Sequence, residues 1–129
     1  MCIRDSLRIL LIDDDPVLLH SLREALEADG QSVVATHDAK KGIEQFQAAL
    51  SGPIPFAVVI TDLGMPYIDG RQVAAAIKAA SPSTPVIMLT GWGQRLVADS
   101  EIPPHVDQML SKPPRMRDLR EALARCCGD

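Results

Sequence analysis

Asp13, Asp14 and Asp15 follow the apolar run Ile9-Leu10-Leu11-Ile12, and Asp62 follows Ala57-Val58-Val59-Ile60-Thr61. Thr90 closes Val86-Ile87-Met88-Leu89, and Lys112 comes directly after Val106-Asp107-Gln108-Met109-Leu110-Ser111. Brought to one place, these acids, the hydroxyl and the amine would suit a hard cation and a phosphoryl group. Two carboxylates about 4 Å apart repel by ~1 kcal/mol in water and by ~4 kcal/mol at an effective dielectric of 20. Asp13, Asp14 and Asp62 crowded together therefore need a counter-ion. Magnesium accepts a few carboxylates together with waters and phosphate oxygens. A carboxylate oxygen of Asp62 could attack phosphorus and form an acyl phosphate. The cation and the Lys112 ammonium would neutralise the transferred group, and the Thr90 hydroxyl could donate to one of its oxygens.

Each signal has a plainer reading when taken alone. A threonine at a strand end is usually a strand residue, and a lysine before proline is usually a solvated charge. Asp15 is read as a helix cap only. The functional reading of the others depends on the elements that must carry them. Apolar runs of this length, separated by helix-like segments, read as parallel strands buried on both faces. In an open α/β sheet the ligand crevice lies beyond the carboxyl ends of the strands, and every residue named above sits at such an end.

The first strand is expected at about Leu7 to Asp13. Asp15-Pro16 then starts a helix, with Asp as the cap and proline at the first helical position. Leu18, Leu22, Ala25 and Leu26 recur at helical spacing, Leu19 widens the stripe, and Gly30 ends it. Val33 to Thr36 is a second strand. Asp38 caps a second helix with Ile43, Phe46 and Leu50 inward, and Gly52-Pro53 breaks it. The third strand is expected over Phe56 to Thr61, ending at Asp62. A loop follows, and Asp69-Gly70 leads into a helix carrying Val73, Ala74 and Ile77. Pro85 opens the fourth strand. Gln94 to Asp99 offers one or two helical turns, because Pro103-Pro104 forbids more. Val106 to Leu110 is the fifth strand, and a last helix runs from about Arg115 to Cys126 with Leu119, Ala122 and Leu123 inward. This strict β-α alternation implies a parallel sheet with helices on both faces, and right-handed crossovers leave few topologies.

The bulk numbers agree. A chain of 129 residues is one domain and can bury a core without staples. Hydrophobic residues make up 47% but aromatics only 3%, so the core must be aliphatic. A net charge of -4 provides no basic footprint for nucleic acid. No DNA-binding domain is read within the chain, so no direct nucleic-acid contact is expected. No apolar run approaches the ~20 residues that cross a bilayer, no secretory signal opens the chain, and no membrane contact is expected of this domain. The cysteines, Cys2, Cys126 and Cys127, lack ligand spacing, which suits a reducing cytoplasm.

Several weaker signals are set aside. Gly91-Trp92-Gly93 lacks the third glycine and the following helix of a dinucleotide fingerprint. There is no Walker-type loop. His20, His37 and His105 have no metal-ligand spacing. Arg115, Arg117, Arg120 and Arg125 are balanced by Asp118 and Glu121 on a solvated helix face.

With these residues in view, the chain resembles a response-regulator receiver domain from Leu7 to about Ala124. The resemblance rests on four motifs in order: Asp13-Asp14, then Asp62-Leu63-Gly64-Met65-Pro66 with Asp69-Gly70, then Thr90-Gly91, then Lys112-Pro113. It implies a flavodoxin-like sheet of strand order 2-1-3-4-5. It implies that Asp62 is the phosphoacceptor, served by a sensor histidine kinase or a phosphotransfer domain. Asp13, Asp14, Asp62 and the Gly64 backbone carbonyl would hold Mg2+, and Thr90 and Lys112 would bind the phosphoryl oxygens. The Lys112-Pro113 bond would be cis. Phosphorylation would draw Thr90 inward and shift the face around strand five. The receiver would occupy residues 7–127, with residues 1–6 a leader foreign to the fold. Leu89-Thr90-Gly91-Trp92-Gly93 and Leu110-Ser111-Lys112-Pro113-Pro114 are similar to receivers at the C-terminal end of hybrid histidine kinases, so this domain could be free-standing or part of a longer protein. It would act as a phosphoacceptor rather than as an enzyme.

Two positions depart from the family pattern. Met109 stands where the family usually has an aromatic, three positions before the lysine, and the helix before strand five is short and broken by proline. Three other readings compete. A magnesium-dependent phosphatase with Asp62 as nucleophile would want an acid two positions on, where this chain has Gly64. A flavin module would want aromatics flanking the ring, and only Tyr67 and Trp92 are available. A receiver-like binding module that is never phosphorylated fits poorly with intact acids and Lys112.

Overall fold

The computed structural model describes residues 7–53, 55–62, 70–90, 105–111 and 114–127. The expected leader, the short helix over 94–99, Gly64, Trp92, Lys112 and the Lys112-Pro113 bond lie outside the described residues. Five strands, β1 (Arg8–Ile12), β2 (Ser32–Thr36), β3 (Val58–Asp62), β4 (Val86–Thr90) and β5 (Gln108–Ser111), alternate with helices α1 (Pro16–Ala28), α2 (Ala39–Leu50) and α3 (Gly70–Ala80). A helix α4 (Met116–Cys127) follows β5. The strands form one parallel sheet of order β2-β1-β3-β4-β5.

Each strand alternates its side chains between two apolar layers, because successive Cβ atoms point to opposite faces. Ile9, Leu11, Val58, Ile60, Ile87 and Leu89 pack against Leu19, Leu22 and Leu26 of α1 and Leu119, Ala122 and Leu123 of α4. Leu10, Ile12, Val59 and Val86 pack against Phe46 of α2 and Val73, Ala74 and Ile77 of α3. Every residue of β3 and β4 is buried, as central strands covered on both faces must be. Full burial of each such aliphatic side chain contributes roughly 1.5–3 kcal/mol.

The helix starts follow their capping chemistry. The Asp15 side chain accepts from the Val17 and Leu18 amides ahead of Pro16, and the Asp38 side chain accepts from the Lys41 amide. Gly30 ends the α1 corner at φ +91°, where an L side chain is strained. The buried stripe of α1 is centred on Leu19, Leu22 and Leu26, and Leu18 and Ala25 lie half-buried at its margin.

Strand limits differ from the sequence reading by one residue at β1 and β2 and by two at the starts of β3 and β5. β3 starts at Val58 and includes Asp62, while Phe56 precedes it and stacks on Phe46 with ring centroids 6.4 Å apart. The Arg8 guanidinium lies 4.8 Å from the centre of the Phe56 ring. β5 starts at Gln108, not Val106, and runs through Ser111. Just before it, Asp107 stays tied to β4: its amide donates to the Val86 carbonyl at 2.9 Å, and its carboxylate accepts from the Val86 amide at 2.8 Å and pairs with Lys78 at 2.8 Å. One side chain thereby fastens the starts of β4 and β5 to the end of α3.

Candidate functional site

Parallel register decides which acids meet. Ile12 is paired with Thr61, so the next residue on β1, Asp13, comes level with Asp62. Both acids continue the column of Ile9, Leu11, Val58 and Ile60, which share one apolar layer. They arrive on the same side of adjacent strands, at the carboxyl edge of the sheet. Asp13, Asp14 and Asp62 each offer a carboxylate oxygen, and these oxygens lie within 4.8 Å of one another. Among the described residues this is the one grouping of three such side chains that could hold a metal ion. Asp13 is 0% and Asp62 1% exposed, whereas Asp14 faces solvent. The cluster is thus sunk into the sheet edge and opens outward at Asp14.

The surrounding backbone holds Asp13 from several directions. Its amide donates to the Thr36 carbonyl at 3.2 Å, and its Oδ1 accepts from the Asp15 amide at 2.8 Å. Helix α2 crosses close beneath. A Cβ added at Gly42 would stand 2.5 Å from Ile12 Cδ1 and 3.3 Å from Thr36 Cγ2. On the neighbouring strand the buried Thr61 hydroxyl donates to the Asp62 carbonyl at 3.2 Å.

Thr90 ends β4 as expected. Leu89 is the partner of Asp62, so Thr90 lies one residue beyond the level of the acid. It is 8% exposed, and its hydroxyl donates to the Leu110 carbonyl on β5 at 3.5 Å, the outer limit of a hydrogen bond. Met109, in the position of the expected aromatic, is half-buried opposite Met88. Gly64 and Lys112 fall outside the described residues.

Sequence reading missed three contributors: the Thr36 carbonyl, the Asp15 amide and the bare α-carbon of Gly42. Only Gly42 left a signal, a lone glycine inside a helical pattern, which marks a close approach. The histidines behave as expected. His20 pairs with Glu24 at 3.2 Å on the exposed face of α1, and His37 and His105 are exposed. Burial, and then the negative charge of Asp107, push the Cys126 thiol above its ordinary pKa. No helix among the described residues is long and apolar enough to cross a membrane.

A cluster of hard oxygen donors at the carboxyl edge of a doubly wound sheet fits a magnesium ion better than a softer metal. Comparison with known proteins agrees with this geometry. The family model described as "Response regulator receiver domain" matches residues 9–124. The transcriptional regulatory protein TrcR of Mycobacterium tuberculosis is 28% identical over 95% of this chain, which spans only 44% of that protein. A receiver domain protein from Clostridium thermocellum superposes with a TM-score of 0.78 at 30% identity, covering 94% of each chain. The response regulator TrrA of Thermotoga maritima, solved in complex with Mg(2+)-BeF, superposes with a TM-score of 0.76 at 26% identity over 92% of this chain and 97% of its own. The sheet order, the acids at its carboxyl edge and these matches lead to one conclusion: the chain belongs to the response regulator receiver domains, the phosphoryl-accepting modules of two-component signalling.

Proposed function

We propose that Asp62 is the phosphoacceptor of this receiver and that Asp13, Asp14, Asp62 and the Gly64 carbonyl hold Mg2+ beside it. The observation that carries the reading is the convergence of three carboxylate oxygens within 4.8 Å, two of them on buried residues. Two buried, crowded acids are costly without a cation, and a bound cation also neutralises the incoming phosphoryl group. The donor is a phosphohistidine on a sensor kinase or a phosphotransfer domain. A carboxylate oxygen of Asp62 attacks phosphorus, and an O–P bond forms. The P–N bond breaks, and its electron pair stays on the imidazole nitrogen. Thr90 would exchange its long bond to Leu110 for one to a phosphoryl oxygen, and Lys112 would supply a second positive charge. The chain serves as a phosphoacceptor that takes the group onto its own side chain rather than as a conventional enzyme. Residues 7–127 form the receiver, working in the cytoplasm and either alone or joined to a kinase.

The test is incubation with magnesium and acetyl phosphate, read by intact mass. One phosphate is expected on the parent chain and none on Asp62→Asn. No adduct on the parent would reject the proposal.

A further inference from the structure

Asp15 caps helix α1 and stands between that helix and the metal-site acids. Its amide donates to Asp13 Oδ1 at 2.8 Å. Its own Oδ1 accepts from the Val17 amide at 3.0 Å and the Leu18 amide at 3.3 Å. Its carbonyl accepts from the Leu19 amide at 2.9 Å, and Leu19 belongs to the core beneath α1. The residue is therefore tied on three sides to the first turn of a core-packed helix, while its remaining backbone group grips Asp13. Asp13 is buried, so its carboxylate has little freedom to find another orientation once that grip is set.

We infer that Asp15 is a positioning residue for the metal site: by capping α1 it fixes the amide that orients Asp13, and it does so through its cap oxygen rather than its charge. The inference rests on the assignment of Asp13, Asp14 and Asp62 as cation ligands. It separates two effects that a simple acidic cluster would merge. A third carboxylate nearby could favour a divalent cation merely by its charge. A cap would favour it by keeping the Asp13 oxygen in place before the ion arrives, which lowers the ordering cost of binding.

Asp15→Asn and Asp15→Ala divide these effects. Asparagine keeps an acceptor oxygen for Val17 and Leu18 and loses the charge; alanine loses both. Magnesium affinity is measured by calorimetry on the full chain, with amide hydrogen exchange followed at Asp15, Val17 and Leu18 in metal-free buffer. The Asn variant is expected to bind within about twofold of the parent. The Ala variant is expected to bind about fivefold more weakly, which is ~1 kcal/mol at 1.4 kcal/mol per factor of ten, and to exchange all of these amides faster. If Asp15→Ala does not fold, Asp15→Gly serves, because glycine preserves the helix start without supplying the oxygen. Equal weakening in Asn and Ala would assign the effect to charge and overturn the inference, as would parent-like binding by Ala. A parent chain that takes up no magnesium would instead remove the metal assignment and this inference with it, and that failure shows in the parent alone.

Discussion

Removing one negative charge from the acidic site should stabilise the metal-free protein. Asp13→Asn is the cleanest perturbation, because the amide keeps the side-chain shape and an oxygen to accept from the Asp15 amide. Two unit charges at the observed limit of 4.8 Å repel by about 3.5 kcal/mol at an effective dielectric of 20 and about 0.9 kcal/mol in water. Asp62 is buried and Asp14 is exposed, so the effective value lies between these limits. Asp13→Asn is therefore expected to raise the unfolding free energy by about 1–3 kcal/mol in EDTA. The assay is urea unfolding followed by far-ultraviolet circular dichroism, with and without magnesium. At a magnesium concentration ten times Kd the parent should gain about 1.4 kcal/mol, and the variant should gain far less. A variant no more stable than the parent in EDTA refutes the reasoning. So does an identical magnesium-induced shift in both proteins.

Gly42→Ala should destabilise the fold by about 1–3 kcal/mol, although alanine is the better helix former by ~1 kcal/mol at an open site. The added Cβ meets Ile12 Cδ1 at 2.5 Å and Ile12 Cγ1 at 2.8 Å, and urea midpoints measure the loss. The Arg120 guanidinium bonds Asp29 at 2.7 Å and 3.1 Å and holds its carboxyl below the ordinary value of 3.8. A carboxyl depressed in the folded state adds stability that is present above its unfolded pKa and lost as pH falls through the folded value. The stability gap between the parent and Arg120→Ala should accordingly be small and salt-sensitive near neutrality, because the pair is exposed. It should close as pH falls below 3.8, and acid titration of the unfolding midpoint checks the trend.

The chain's own residues determined the architecture because its helical stripes and its uninterrupted apolar runs are both strong. Ile9 to Ile12, Val58 to Ile60 and Val86 to Leu89 are too apolar for any place but a sheet covered on both sides. Asp15-Pro16 and Asp38 mark helix starts that the coordinates reproduce. The acids were legible for the same reason, since a polar residue directly after a buried strand has to emerge at its carboxyl edge. Strand limits were less legible. The Asp107 carboxylate that ties the start of β5 to Lys78 and the Val86 amide meets groups distant in sequence and invisible to local periodicity. Tertiary structure alone decided how the acidic site is held. Register brings Asp13 level with Asp62, the Thr36 carbonyl and the Asp15 amide grip Asp13, and Gly42 lets α2 close on Ile12. Those contacts are made by backbone groups that every residue carries or by the absence of a side chain, so composition and spacing leave almost no mark of them until the chain is folded.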